Sequence, residues 1–163
     1  MTDNALSENF LELIEENKKL IYKVSHMFSD KDIDRNDLFQ EIIVNLWKAY
    51  PTFKGHSKIS TWIYRIAINT AVSQLRDFEK KNNHIQYTNM IPQVPEDSGF
   101  NELLEQLYTA IKKLGKLDRA IILLQLEGYS YEEIAEIMGL SKTNVATKIN
   151  RVKLKLKNQL SNS

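Results

Sequence analysis

The chain has 163 residues, of which 42% are hydrophobic and 26% are charged, and its formal net charge is +1. It contains no cysteine, which excludes disulfides and cysteine-ligated zinc. No apolar run reaches the roughly 20 residues of a membrane span, and the first residues lack a signal-peptide pattern, so we expect a cytoplasmic protein without membrane insertion. Five glycines, three prolines and frequent helical periodicity favour an all-α fold.

Three helical patterns occupy the first half of the chain. Apolar residues at helical spacing predict helices over residues 8–28, over residues 37–50 and from about Ser60 to Phe78. Residues 80–98 are polar, hold two of the three prolines and show no helical stripe, which predicts a flexible linker. We therefore predict two small helical domains, residues 1–79 and residues 99–163, joined by the linker 80–98.

Charge alternates along the chain although the total is near zero. Residues 1–50 carry 10 acidic and 6 basic groups, residues 51–93 carry 2 and 6, and residues 94–163 carry 9 and 10. A protein patterned in this way can present one surface to nucleic acid and another to a protein partner.

The third helix and the loop before it form a candidate single-strand surface. Opposite its apolar side, the helix carries charged and polar groups spaced by three, four, four and seven residues: Lys58, Thr61, Arg65, Asn69 and Arg76. The preceding loop holds Phe53, Lys54, His56 and Ser57. Cations for phosphates and aromatic or polar groups for unstacked bases suit a single-strand reader, although solvated helix faces commonly have the same composition. Trp62 and Tyr64 flank the apolar side, and we expect them to pack against the domain.

Four helices are predicted in the second domain. The first runs from Asn101 to Leu114, Asp118 is expected to cap the second, and the last two meet at a tight turn. At that turn Ser130 and Glu133 match an S-x-x-E capping box, Gly139 can end the third helix, and Ser141 can cap the fourth. This arrangement is typical of a helix-turn-helix DNA-binding motif.

The final helix concentrates positive charge. Residues 141–163 carry six basic groups and no acid. An anionic partner explains this concentration, and a solvated amphipathic helix favoured by its dipole is the plainer alternative. The capped turn directly upstream favours DNA.

Taken together, these motifs resemble the bacterial RNA polymerase sigma factors of the extracytoplasmic-function (ECF) type, which keep regions 2 and 4. The resemblance rests on DLFQEIIVNLWKAY, on FKGHSKISTWIYRIAINTAVSQLR and on the helix-turn-helix, and it extends from about Leu11 to Leu160. It implies two helical domains that bind the β′ clamp and β flap of core RNA polymerase, contact promoter DNA and are controlled by an anti-sigma factor.

The resemblance also assigns roles to residues. The polymerase-binding positions would be Asp37, Leu38, Gln40, Glu41 and Asn45. The minus-10 positions would be Phe53, Lys54, His56, Ser57, Lys58, Thr61, Arg65, Asn69 and Arg76. The minus-35 positions would be Lys142, Thr143, Asn144, Thr147, Lys148, Arg151, Lys153 and Lys155. Many relatives have a basic or polar residue where this chain has Ala146, and Arg where it has Lys148, which weakens base readout at both positions. We expect Arg151 to contribute charge and not fold stability.

Two other classes of protein are alternatives to a sigma factor. An ordinary helix-turn-helix regulator would use residues 1–80 as a sensor or dimerisation domain and would bind duplex DNA by itself. An enzyme is disfavoured, because His26, His56 and His84 have no ligand spacing and no phosphate-binding glycine loop or activated nucleophile is recognisable. We accordingly predict no catalytic residue, no metal and no cofactor.

Overall fold

The computed structural model describes residues 3–30, 32–81 and 102–161, with the backbone alone over 76–81. All regular structure in these ranges is helical, which confirms the all-α prediction. The chain divides into two compact units, Met1–Tyr87 and Thr88–Ser163. Apart from residues 80 and 81, the predicted linker lies outside the described residues, and the three-part division of the chain stays a prediction.

Four α-helices and one short 3₁₀ helix form the described part of the first unit. They are α1 (Asp3–Glu16), α2 (Lys18–Phe28), α3 (Arg35–Ala49), the 3₁₀ turn Tyr50–Thr52, and α4 (Ile59–Lys81). The core is built where α2, α3 and α4 pack against each other, and its fully buried side chains include Ile21, Phe28, Leu38, Ile42, Leu46 and Ile63. Their spacing along each helix explains why the apolar periodicity was visible in the sequence.

The prediction of a single helix over residues 8–28 is wrong at Asn17. The backbone at Asn17 departs from helical geometry (φ −113°, ψ 14°), and its side chain Nδ2 donates to the carbonyl of Leu13 at 2.8 Å. Asparagine competes with the helical ladder in this way, so α1 ends at Glu16 and α2 begins at Lys18. The apolar period continues across the break, which is why periodicity alone did not reveal it.

The second unit contains α5 (Glu102–Lys112), α6 (Lys116–Leu126), α7 (Tyr131–Met138) and α8 (Lys142–Ser161). Helix α8 packs on the other three and buries Val145, Ile149 and Val152 completely. The predicted unit of four helices ending in a helix-turn-helix is therefore present.

The start of α6 differs from the prediction. Its N-cap is Gly115, which makes no side-chain cap hydrogen bond, and Asp118 lies inside the first turn with 9% of its surface exposed. The next residue, Arg119, is also buried, and its Nη2 donates to the carbonyls of Lys112 at 2.6 Å and Leu114 at 3.1 Å. Arg119 thus satisfies carbonyls at the end of α5 that the helix itself leaves without partners.

Among the residues that the structure describes, no helix is long and apolar enough to cross a membrane.

Candidate nucleic-acid interface

The turn between α7 and α8 has the predicted geometry. Ser130 Oγ accepts from the backbone N–H of Glu133 at 3.1 Å, and Glu133 Oε1 accepts from the backbone N–H of Ser130 at 3.1 Å, so the capping box is complete. Gly139 ends α7 in the left-handed region (φ 69°), where a side chain would add strain. The backbone N–H of Leu140 donates to the carbonyl of Ala135 at 3.0 Å and closes the turn.

Helix α8 begins at the predicted cap and is anchored along one side. Ser141 Oγ accepts from the backbone N–H of Asn144 at 3.1 Å. Val145, Ile149, Val152 and Leu156 recur at helical spacing and are buried. Most of the other side chains of α8 are exposed.

The predicted minus-35 residues lie on two flanks of α8. Lys148 is half-buried, and the other seven are exposed. One flank is formed by residues spaced four, three and four apart, and we call it the basic stripe. It consists of Asn144, Lys148, Arg151 and Lys155. Lys153, two residues from Arg151, points elsewhere and lines an apolar groove with Leu126 and Leu156. A duplex on the basic stripe would therefore be contacted by a subset of the predicted residues.

Three of the predicted contacts are engaged by carboxylates of the same unit. Lys142 Nζ lies 2.6 Å from Glu132 Oε1, an exposed pair that joins the first turns of α7 and α8. The hydrogen bond from Lys142, together with its charge, lowers the pKa of Glu132 from the usual 4.5. Arg151 Nη2 lies 3.5 Å from Asp118 Oδ1, and Lys155 Nζ lies 3.7 Å from Asp118 Oδ2.

The contact with Asp118 changes the expectation for Arg151. The Asp118 side chain is only 12% exposed, whereas that of Arg151 is 52% exposed. A largely buried carboxylate is stabilised by nearby cations, so we expect Arg151 to contribute to the fold as well as to surface charge. Sequence reasoning overlooked Asp118 as a partner because its cations are 33 and 37 residues away along the chain.

The candidate single-strand surface in the first unit rests on aromatic rings. Phe53 is half-buried, and its ring centroid lies 4.9 Å from that of Trp62, which also faces Tyr50 at 6.5 Å. Phe10 of α1 extends the cluster, at 5.0 Å from Trp47 and 5.4 Å from Tyr50. With Trp62 9% and Tyr64 3% exposed, the expectation that both pack into the unit is confirmed.

The polar positions of the candidate single-strand surface differ in exposure. Lys54, His56 and Lys58 are exposed, and Ser57 is half-buried. Along α4, Thr61 and Arg65 are half-buried and Asn69 is exposed. The side chain of Arg76 lies outside the described residues. The structure thus packs Phe53 against Trp62 and leaves the polar positions wholly or partly exposed.

The predicted polymerase-binding positions on α3 differ in how far their side chains are exposed. Asp37, Gln40 and Glu41 are exposed, in agreement with a contact role. Leu38 is fully buried in the core, so it is not part of the exposed face. Asn45 is half-buried, and its Nδ2 donates to Thr70 Oγ1 of α4 at 2.9 Å. Asn45 therefore joins α3 to α4 inside the unit.

Two apolar residues on the outer face of α3 were missing from the predicted contact set. Val44 is 43% exposed and Trp47 is 41% exposed, at positions four and seven residues after Gln40. Trp47 lies at the border between the buried stripe and solvent, since it is partly exposed and its ring also contacts Phe10. Together these residues add an apolar patch to the polar face.

The described residues contain no group of three or more histidine, cysteine or acidic side chains that could hold a metal ion.

Comparison with known proteins agrees with both units. Residues 13–81 match the family model for Sigma-70 region 2, and residues 104–156 match the model for Sigma-70 region 4. The chain is 32% identical over 134 residues to the RNA polymerase sigma factor YlaC of Bacillus subtilis, with 78% of each chain covered. It is 32% identical over 145 residues to the ECF RNA polymerase sigma-E factor of Haemophilus influenzae, with 78% of this chain and 77% of the relative covered.

Solved structures show the same fold. The sigma factor RpoE in complex with the anti-sigma factor NepR from Bartonella quintana aligns with a TM-score of 0.78 at 21% identity, covering 94% of this chain and 98% of that one. CnrH, solved in complex with the cytosolic domain of CnrY, aligns with a TM-score of 0.68 at 22% identity, covering 96% and 90%. On the family models and the curated relatives, the chain belongs to the ECF RNA polymerase sigma factors, non-enzymatic initiation factors that bind DNA and recognise promoters.

Proposed function

We propose that this ECF sigma factor binds core RNA polymerase, directs it to promoters through a minus-10 and a minus-35 element, and assists promoter melting. In this proposal residues 1–79 act as region 2, residues 80–98 as the linker and residues 99–163 as region 4. The observation that carries it is helix α8, which follows a complete capping box and places a basic stripe beside its buried apolar side.

The proposed minus-35 contact uses the two ends of α8 differently. The first turns carry Thr143, Asn144, Thr147 and Lys148, the end that a recognition helix directs toward base edges. Arg151 and Lys155 follow on the same stripe and would bind phosphates, which position a protein without reading sequence. Ala146 has no hydrogen-bonding group, and Lys148 lacks the fork with which Arg reads guanine. Affinity should therefore depend strongly on phosphate contacts and on polymerase.

The proposed minus-10 contact uses the loop and helix beside the aromatic cluster. The exposed cations Lys54 and Lys58 can bind phosphates of a single strand, and Asn69 can bind a base edge. Taking a base out of the stack costs a few kcal/mol. A surface supported by Trp62 supplies fixed partners for an unstacked base, and the grip of polymerase on DNA supplies the remaining free energy.

The proposed polymerase contact is the outer face of α3. Asp37, Gln40 and Glu41 supply polar groups, and Val44 and Trp47 supply apolar area next to them. Interfaces are enriched in tryptophan, with polar groups at the rim. This face would bind the β′ clamp, and the second unit would bind the β flap.

A regulatory partner follows from the relatives. The RpoE structure from Bartonella quintana contains the anti-sigma factor NepR, and CnrH was solved with the cytosolic domain of CnrY. We propose that an anti-sigma protein likewise controls this chain, and that the chain acts in the cytoplasm, where polymerase and DNA are found.

The direct test is transcription with purified core polymerase on a promoter library. Addition of the full chain should produce transcripts from a specific set of start sites that core polymerase alone does not produce, and the promoters should share two elements. If no promoter-specific transcripts form, the proposal is wrong. An ordinary regulator that uses residues 1–80 as a sensor domain fits poorly with the Sigma-70 region 2 match over residues 13–81.

A further inference from the structure

Asp118 connects two helices of the second unit through both of its carboxylate oxygens. Oδ1 lies 3.5 Å from Arg151 Nη2, and Oδ2 lies 3.7 Å from Lys155 Nζ. The acid is at the base of this arrangement with 12% of its side chain exposed, while each cation is 52% exposed. Each cation thus lies near the carboxylate while about half of its side chain stays exposed.

The two cations would not hold this position by themselves. Arg151 and Lys155 are four residues apart on one face of α8, and like charges at that spacing repel. Both side chains are long and have many rotamers, so an unrestrained pair would sample many positions. A carboxylate between them offsets the repulsion and restricts both. Arginine has five N–H donors and lysine three, which leaves donors for a second anion on each.

We propose that Asp118 is a positioning residue for promoter recognition: it fixes Arg151 and Lys155 at the end of the basic stripe so that they bind duplex phosphates in one register. This inference rests on the proposed minus-35 role of α8. Phosphate contacts set the register in which the preceding side chains meet base edges. Asp118 therefore raises the preference for the correct element even though its negative charge opposes DNA binding in general.

Because the negative charge of Asp118 opposes DNA binding in general, a positioning role can be distinguished by experiment from two simpler roles. If Asp118 is merely an anion near DNA, its neutralisation strengthens binding to every sequence equally. If it merely joins α6 to α8, its neutralisation lowers stability and leaves sequence preference unchanged. Positioning predicts a lower ratio of specific to non-specific affinity, a quantity that neither simpler role changes.

The chain offers a matched control for charge. Glu132 is exposed, belongs to the same unit and pairs with one predicted DNA-contact residue, Lys142. Glu132→Gln removes one negative charge near the same helix, as Asp118→Asn does, but the carboxylate it removes does not bridge two cations. It therefore measures the general electrostatic effect of losing one acid.

The experiment uses holoenzyme assembled from core polymerase and the full chain. Affinity is measured for a promoter fragment obtained from the transcription test and for the same fragment with a scrambled minus-35 element. Asp118→Asn should lower the ratio of the two affinities about fivefold, whereas Glu132→Gln should change both affinities alike. An unchanged or higher ratio for Asp118→Asn would overturn the proposal.

A second comparison addresses loss of fold. In a chain that already carries Arg151→Ala and Lys155→Ala, Asp118→Asn should cause no further change in the ratio, because the cations through which it acts are absent. A further fall of the ratio in that background would show that Asp118 acts through the fold and would overturn the proposal. If wild-type holoenzyme itself does not distinguish the two fragments, the proposed minus-35 role is wrong, and the role of Asp118 is wrong with it.

Discussion

The two proposed DNA surfaces differ in what holds their side chains in place. In the first unit the loop surface lies on packed rings, with Phe53 against Trp62 and Phe10 between Trp47 and Tyr50. In the second unit, carboxylates of α6 and α7 engage cations of α8. Ring packing depends on buried apolar area, whereas exposed ion pairs weaken as salt rises. Rising salt should thus loosen the duplex surface more than the loop surface.

The largest expected effect comes from the aromatic support. Trp62→Ala removes a ring that is 9% exposed and contacts Phe53 and Tyr50. We expect the free energy of unfolding of the chain to fall by about 3–5 kcal/mol, as for other buried aromatic truncations. Urea denaturation followed by circular dichroism measures this change.

The matched control for Trp62 is another ring of the same cluster. Trp47 is 41% exposed, so Trp47→Ala removes less buried area and should cost about two-thirds as much. Equal losses for the two variants would mean that burial does not explain the stability of the aromatic support, and the contrast with the second unit would then lose its basis.

The polar side chains on the outer face of α3 give the next largest effect. Gln40 is exposed, and Gln40→Ala should weaken association with core polymerase about tenfold if this face is the clamp contact. Fluorescence anisotropy with labelled chain measures the dissociation constant. Binding of a minus-35 duplex should not change.

Asn45→Ala is the variant to compare with Gln40→Ala. Asn45 donates to Thr70 Oγ1 at 2.9 Å, so its loss should lower the free energy of unfolding by about 1 kcal/mol with little effect on polymerase affinity. A strong loss of polymerase binding without a loss of stability would mean that Asn45 contacts polymerase.

A smaller effect on stability is expected from the ionic support. Arg151→Ala leaves Asp118 with Lys155 alone, and we expect a loss of about 1 kcal/mol in unfolding free energy together with weaker duplex binding. Lys148→Ala is the control, since it removes a cation of the same basic stripe that does not contact Asp118. It should weaken duplex binding and leave stability unchanged. If both variants are equally stable, the Asp118 contact does not support the fold.

Local pattern and long-range contact explain what the sequence could and could not predict. The capping box at Ser130 and the turn at Gly139 are encoded within ten residues, and both were predicted correctly. The bond between Asn45 and Thr70 spans 25 residues, and the contact between Asp118 and Arg151 spans 33. Neither can be derived from helical period, because period indicates which face is apolar and not which polar groups meet across helices.

Leu38 shows a limit of assigning roles by family resemblance. The family resemblance placed it in the polymerase-binding set, but the side chain belongs to the buried stripe with Ile42 and Leu46 at four-residue spacing. Extending the four-residue spacing of Leu46 and Ile42 by one more step reaches Leu38, and this spacing is the signal that could have assigned it to the core. The roles of the exposed neighbours Asp37, Gln40 and Glu41 stay predictions.

The smallest effect tests the ionic support at its most exposed point. Lys142 holds the pKa of Glu132 below its usual 4.5, so the ionised form is favoured in the folded state. The pair therefore stabilises the fold above the unfolded-state pKa of Glu132, and this contribution is lost as pH falls through the lower folded-state value.

Carboxyl chemical shifts measured by NMR between pH 2 and 6 should show a depressed midpoint in the wild type and a return toward 4.5 in Lys142→Met. High salt should reduce the difference, since both side chains are more than half exposed. A midpoint that Lys142→Met leaves unchanged would show that the pair does not form in solution, and the ionic support would then rest on Asp118 alone.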